Sequence, residues 1–335
     1  MIAAADHPPV PPARVGVLLV NLGSPDAPEP GAVRRYLAEF LSDPRVVEIP
    51  SLIWQPILRG FVLTTRPRRS AHAYQQIWTE AGSPLTVITR AQAEAVRAAL
   101  GGAVCVDWAM RYGEPAIAGR LAAMRAEGCD RILIAPLYPQ YCAATTATVN
   151  DAAFAALSKM RWQPAIRTLP PWHDDPAYIA ALKDSVEGAL AGLDHEPDVI
   201  VASFHSMPER TLALGDPYHC QCRKTARLLS EALGRDLIVS FQSRLGRAKW
   251  LEPATDATLA DLPGRGVKRV AVIAPGFVAD NLETLEELAI RGRDSFMAAG
   301  GVDFRYIPCL NDTPPGIALL TALLSRQLEG WVASP

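Results

Sequence analysis

The chain has no glycine-rich phosphate loop. Neither G-x-G-x-x-G behind a strand nor G-x-x-x-x-G-K occurs in its 335 residues, so the backbone cradle that nucleotide binding needs is missing. Gly23-Ser24-Pro25 reads only as a turn. There is no basic excess either: 33 Lys and Arg stand against 35 Asp and Glu, which argues against nucleic acid as a partner. Cysteine is sparse, with six residues, and Cys105, Cys129 and Cys309 sit in apolar runs. That pattern fits reduced core thiols and a cytoplasmic setting better than a disulfide framework. Cys220-Gln221-Cys222, behind Asp216-Pro217-Tyr218-His219, lacks C-x-x-C spacing and a second pair. It reads as the start of a helix through Thr225, Leu228, Leu229 and Leu233, not as a metal site.

Long apolar runs are also absent. The most lipid-like segment, 49–63, is interrupted by Ser51, Gln55, Pro56 and Arg59, short of the ~18 uninterrupted residues of a membrane span. Residues 1–14 are rich in Ala and Pro without the apolar centre of a secretory signal, and read as a disordered tail.

What is present is an apolar share of 49% arranged as short Val/Ile/Leu runs with helical stretches between them, the mark of an α/β protein with parallel sheets. The expected strands are Val15–Val20, Val104–Ala109, Arg131–Ala135, Ala165–Leu169, Asp198–Phe204, Leu237–Phe241, Arg269–Ala274 and Phe304–Pro308. They divide into two sheets of four, and the length suits two domains. The second half echoes the first. Gly128-Cys129-Asp130-Arg131 parallels Gly266-Val267-Lys268-Arg269, and Met110-Arg111-Tyr112-Gly113 parallels Ser243-Arg244-Leu245-Gly246. We therefore expect a first α/β domain over 15–160 plus 310–331 and a second over 161–309, with a ligand cleft between them.

His205 stands at the tip of an apolar strand, followed by Ser206-Met207-Pro208. Ligands gather beyond the strand ends of parallel sheets, and imidazole exchanges protons or holds metal near neutral pH; the bland alternative is a satisfied core histidine. A second strand leads through Pro275-Gly276-Phe277 to Glu283, Glu286 and Glu287. Asn21, Arg111 and Tyr138 fall at strand ends of the first half, and Gln242 joins His205 in the second. The first half carries an insertion, 45–85, whose Ile49, Leu52, Ile53, Trp54, Ile57, Leu58 and Phe61 form either an apolar lip for a flat, greasy ligand or a helix that covers the sheet. Arg66, Arg68 and Arg69 add positive charge, so that 49–69 suits contact with an anionic membrane surface, unless it packs on its own domain.

With these residues assembled, the chain resembles the ferrochelatases, from Val15 to about Leu328. The resemblance rests on Val17-Leu18-Leu19-Val20-Asn21-Leu22-Gly23-Ser24-Pro25, Gly82-Ser83-Pro84-Leu85, Met110-Arg111-Tyr112-Gly113, Leu137-Tyr138-Pro139-Gln140-Tyr141, Ser203-Phe204-His205-Ser206-Met207-Pro208, Gly215-Asp216-Pro217-Tyr218, Gln242-Ser243-Arg244 and Asn281-Leu282-Glu283-Thr284-Leu285. It implies a chelatase-like fold of two similar Rossmann-like domains, and a lyase that inserts Fe2+ into protoporphyrin IX to form protohaem. By this resemblance His205 and Glu283 are the catalytic pair and the groups that meet the metal. Leu22, Arg111, Tyr112 and Tyr138 line the porphyrin pocket, and Glu287 continues a proton or metal path. No permanent cofactor is implied, iron being a substrate.

Three departures matter. Asn281 stands where some members have histidine. The sequence closes on Gly330-Trp331-Val332-Ala333-Ser334-Pro335 without the cysteine-rich tail that holds a 2Fe-2S cluster in some relatives, and Cys142, near one such ligand position, has no partners there, so no 2Fe-2S cluster is expected. Leu22 occupies a place where the coproporphyrin branch tends to have tyrosine, favouring protoporphyrin IX. The rival readings are a non-catalytic tetrapyrrole carrier, or a chelatase for coproporphyrin or for cobalt or nickel. The expected location is the cytoplasm, peripheral on the inner face of the cell membrane.

Overall fold

The computed structural model describes residues 12–102, 104–244 and 248–332. All eight expected strands are present. β1 Arg14–Asn21, β2 Val104–Met110, β3 Cys129–Pro136 and β4 Ala165–Thr168 form one sheet in the order β2-β1-β3-β4. β5 Val199–His205, β6 Leu237–Gln242, β7 Arg269–Ile273 and β8 Asp303–Ile307 form a second in the order β6-β5-β7-β8. Every pairing is parallel. Residues 1–11 of the expected tail lie outside the described residues, as do Leu245 and Gly246 of the second echo and Ala333-Ser334-Pro335. Arg14, which composition assigns to the tail, opens β1 and donates its N–H to the Gly128 carbonyl at 3.0 Å. Gly128 and Gly266, with φ of 95° and 90°, turn the chain into β3 and β7, positions that a Cβ disfavours.

The two sheets share one order, and in each the connections diverge between the two middle strands. A parallel sheet opens a crevice at that place, beyond the strand tips. In the first sheet it lies between the ends of β1 and β3, in the second between those of β5 and β7.

Val17, Leu18, Leu19 and Val20 in β1 and Ile200, Val201 and Ala202 in β5 have no exposed surface, as expected for strands covered on both faces. One face of the first sheet, through Leu18, Val20, Ile132 and Ile134, packs on Leu121, Met124, Val149 and Ala153 of the helices Ile117–Ala126 and Thr148–Leu157. The opposite face shares a single apolar cluster with Phe204 and Phe241 of the second sheet and with Tyr178 and Leu319. The last two come from the helices Pro176–Leu190 and Pro314–Leu328. The halves are thus fused through a common core.

Side-chain to backbone bonds join them again near the strand tips. Gln92 donates to the Val278 and Asn311 carbonyls at 3.1 and 2.9 Å, and Gln140 donates to Thr225 Oγ1 at 3.0 Å and to the Pro275 carbonyl at 3.3 Å. Gln221 accepts from the Tyr141 N–H at 2.6 Å and Asp216 from the Ala143 N–H at 2.7 Å.

The insertion folds as a helix, Ser51–Ile57, a π-helical turn, Leu58–Val62, and a second helix, Leu63–Ile77. Pro56 sits inside the first helix, where it supplies no N–H, and the backbone widens directly after it. Leu58, Leu63, Ala71, Tyr74 and Ile77 pack on Val33, Tyr36 and Leu37 of the helix Pro30–Phe40. Ile49, Leu52, Ile53, Ile57 and Phe61 remain exposed, Leu52 at 90%. Trp54 and Leu58, grouped with them by sequence, turn inward: Leu58 is buried and Trp54 donates its indole N–H to the Leu41 carbonyl at 2.6 Å. Cys220 and Cys222 lie in the helix Tyr218–Leu233 on different faces, one exposed and one buried.

Candidate active site

The first wall grows from the tips of β1 and β2. Gly23 turns the chain with φ 109°, and a Cβ there would stand 1.9 Å from the Tyr112 carbonyl oxygen, so only glycine lets the two segments meet. Arg111 and Tyr112 donate their N–H groups to the Asn21 and Leu22 carbonyls at 2.8 and 2.9 Å. Leu22, Arg111 and Tyr112 are thereby set side by side. The Arg111 guanidinium lies 4.2 Å over the Tyr112 ring and pairs with Asp43 at 2.5 Å, and the Tyr112 hydroxyl donates to the same carboxylate at 2.9 Å. Arg111 and Asp43 are only 16% and 9% exposed. Asp43 therefore neutralises Arg111 and occupies the Tyr112 hydroxyl, and sequence reasoning missed it. A carboxylate in the Leu41-Ser42-Asp43-Pro44 turn, just past a helix, was the available signal.

Tyr138, beyond β3, holds its hydroxyl buried without a hydrogen-bond partner, and the Arg111 Nε is likewise unpartnered. A buried polar atom left open in a cleft wall is a place for a ligand atom or a water. Burial raises the phenols of Tyr36, Tyr74, Tyr112 and Tyr138 above their ordinary range. This wall keeps its phenols uncharged.

The second wall is titratable. His205 ends β5, and its Nδ1 lies 2.6 Å from the Ser206 carbonyl oxygen. A carbonyl can only accept, so Nδ1 carries the proton of the neutral ring and Nε2 keeps an open lone pair. The loop is fixed in turn, since the Ser206 N–H donates to the Gln242 carbonyl at 2.7 Å and Ser206 Oγ to the Leu251 carbonyl at 3.2 Å. Beneath it, Ser203 Oγ donates to Gln242 Oε1 at 2.6 Å, and Gln242 Nε2 donates to the Glu283 carbonyl at 3.3 Å. Gln242 thus links the histidine strand to the acidic helix.

That helix, Glu283–Gly292, is π-helical, a form often found at functional sites. Its first turn is pinned by Asn281, which accepts from the Thr284 N–H at 3.1 Å while its own N–H donates to Thr284 Oγ1 at 2.9 Å. Asp280 adds a buried anchor, receiving the Tyr306 hydroxyl at 2.6 Å and Asn311 Nδ2 at 2.7 Å. Asn281 is therefore a capping residue here. Leu288 packs toward β7, whereas Leu282, Leu285 and Ile290 pack toward the lip cluster that contains Tyr74, Tyr112 and Leu22.

Glu283 sits half-buried in area yet surrounded by protein, and this burial raises its carboxyl above the usual range; the charge of a protonated His205 opposes that rise and the neighbouring Glu287 and Glu286 add to it. Its charge is also felt by Tyr36 and Tyr74. Glu287 accepts from the Ser243 N–H at 2.8 Å and from Ser243 Oγ at 2.5 Å, with Arg291 3.7 Å away. On its outer side opens a hollow of about 350 Å³ lined by Ser243, Arg244, Glu252, Asp256 and Arg291 among others. The structure thus brings His205 and Glu283 within electrostatic reach, lines Glu287 up behind Glu283, and sets Leu22, Tyr112 and Tyr138 on the opposing wall. Arg111 joins that wall with its charge already paired.

Solved structures with the same fold include SirB from Bacillus subtilis with Fe3+, at a TM-score of 0.58 and 14% identity over 95% of this chain and 97% of that one. A sirohydrochlorin chelatase SirB in complex with cobalt, from Bacillus subtilis subspecies spizizenii, aligns at a TM-score of 0.55 and 14% identity over 93% of each chain. In sequence, the ferrochelatase of Rhizobium meliloti is 57% identical over 99% of this chain and 100% of its own length. That of Bordetella pertussis is 54% identical over 97% and 91%. The family model for ferrochelatase matches residues 14–328, and the chain belongs to the ferrochelatase family.

Proposed function

We propose that this cleft inserts Fe2+ into protoporphyrin IX, forming protohaem and releasing two protons. The observation that supports the reading is that His205, at the tip of β5, and Glu283, at the start of the helix that follows β7, interact electrostatically beside a group of neutral phenols. Metallation requires two pyrrole N–H bonds to break as four Fe–N bonds form. The open Nε2 of His205 accepts a pyrrole proton or passes the metal on, and Glu283, whose carboxyl is poised upward by burial, takes the proton toward Glu287 and the outer hollow. One imidazole and one or two carboxylates hold Fe2+ weakly enough to surrender it to four nitrogens. Leu22 meets the flat face of the ring with Tyr112 buried behind it, and the Tyr138 hydroxyl, without a partner in the protein, is available to it.

No permanent cofactor is part of this reading. Cys142 is a buried free thiol, pushed up by burial and by the nearby Asp216. Among the described residues no helix is long and apolar enough to cross a membrane. The exposed lip residues, with Arg66, Arg68 and Arg69 close behind, fit a cytoplasmic enzyme that rests on an anionic membrane surface through residues 49–69. Anaerobic mixing of protein, protoporphyrin IX and Fe2+ while following porphyrin fluorescence tests the chemistry. His205→Ala should bind porphyrin and lose turnover by about 10²–10⁴-fold; turnover at the unaltered rate contradicts the role of His205.

A further inference from the structure

Glu48 is the last charged residue before the exposed apolar run of the lip, and Arg210 lies in the short helix Glu209–Ala213 that follows the His205 loop. Arg210 Nη1 donates to Glu48 Oε2 at 2.6 Å. Among the described residues this is the one ion pair that joins the lip to the loops of the second sheet. Its nearest charged neighbours in the chain, Asp43 and Arg45, are held inside the first half. Asp43 takes Arg111, and Arg45 pairs with Asp151 on the helix Thr148–Leu157.

The two kinds of pair differ in exposure. Asp43 and Arg111 are sealed in, whereas the side chains of Arg210 and Glu48 are 64% and 36% exposed. An exposed pair is weak and exchanges readily. Glu48 engages only one nitrogen of the guanidinium, so the planar fork that matches a carboxylate on two points is still available.

We propose that Arg210 is an exchangeable anchor for a carboxylate of the porphyrin. Glu48 holds the guanidinium at the cleft rim, and a propionate displaces Glu48 as the macrocycle seats. Glu48 is then a resident competitor for the site, and its release removes the charged tie between lip and His205 loop at the moment the ring passes them. This rests on the porphyrin reading of the cleft and names a residue that recognises the carboxylated edge of the ring. Arg210 is a substrate-positioning residue, remote from the proton chemistry of His205.

The test separates an anchor from a mere latch by the sign of two effects. Iron-free full-length protein is titrated with mesoporphyrin and with its dimethyl ester, following porphyrin fluorescence. Glu48→Gln should bind the diacid about threefold more tightly and Arg210→Gln about threefold more weakly, the size expected of an exposed charge pair. The double variant should match Arg210→Gln, and the diester should respond to none of them. A latch predicts that both single variants shift affinity in the same direction, which overturns the proposal, as does a diester that follows the diacid. Phosphatidylglycerol vesicles form a second arm: if Arg210→Gln weakens vesicle binding and leaves the diacid unmoved, a lipid headgroup is the anion and the proposal fails. Wild type that binds neither porphyrin overturns the reading of the cleft itself, whereas wild type that binds with unmoved variants overturns only Arg210.

Discussion

The two halves share a strand order and a crevice, yet their crevices carry opposite chemistry. At the tips of β1 and β3 stand Leu22 and Tyr138, backed by Tyr36, Tyr74 and Tyr112, and the charge of Arg111 there is cancelled by Asp43. At the tip of β5 stands His205 with an open ring nitrogen, and the helix that follows β7 opens with Glu283, whose carboxyl is raised. On the function proposed above, the same backbone solution is divided, one copy shaping a neutral surface for a flat ring and the other moving protons or metal. The division follows from what leads away from each tip. Gly23 lets the β1 turn press on Tyr112, whereas β7 runs through Asp280 and Asn281 into a helix whose start is hydrogen-bonded into the protein.

Substitutions on each wall should separate the two roles. On the second wall, Glu283→Gln should lower turnover by about 10²-fold or more with porphyrin affinity kept, read by steady-state metallation beside fluorescence titration. Near-normal turnover would place that acid outside the reaction. On the first wall, Asp43→Ala should act on stability, because it strands the buried Arg111. A loss of about 3–5 kcal/mol is expected, measured by urea unfolding, with the chemistry of the folded fraction retained.

A pH-dependent effect should appear again on the second wall. The Glu283 carboxyl is raised in the folded state, so the folded protein binds more protons than the unfolded chain between the two values, and stability falls as pH rises through that window. Glu283→Gln should therefore raise Tm relative to wild type near pH 8, and the gain should shrink as pH falls to the ordinary carboxylate range. A gain that grows on acidification reverses the assignment. The smallest effect is expected from Tyr138→Phe. Its hydroxyl has no partner in the empty cleft, so the folded protein should lose no stability while porphyrin affinity falls by less than about tenfold. A destabilised variant would mean the hydroxyl is bonded within the protein.

The sheets were legible in the sequence because uninterrupted runs such as Val17-Leu18-Leu19-Val20 and Val199-Ile200-Val201-Ala202, bounded by turn residues, suit strands buried on both faces. The place of His205 was legible for a related reason, because a polar residue directly after such a run stands at a strand tip, whereas the Glu283 run lies well past the end of β7 and was marked only by its cluster of acids. What the pattern did not reveal depends on contacts between distant segments. Asp43 lies 68 positions from Arg111, and nothing local marks it as that residue's counter-ion. The lip residues divide at four-residue steps into exposed Ile53, Ile57 and Phe61 and inward Trp54 and Leu58, and a run that is apolar on both faces does not tell which face packs on the domain. The acidic helix is π-helical, so its periodicity also misleads a reading based on α-helical spacing. The roles of Leu22 and Tyr138 came from family resemblance, since neither residue type announces a porphyrin.

The central claim is that His205 and Glu283 act as one unit on a bound ring. Single-turnover metallation of preformed porphyrin complexes by wild type, His205→Ala, Glu283→Gln and the double variant tests it directly. The account predicts strong non-additivity, the double variant scarcely slower than His205→Ala alone. Rate losses that simply multiply would show two groups working independently and would contradict it.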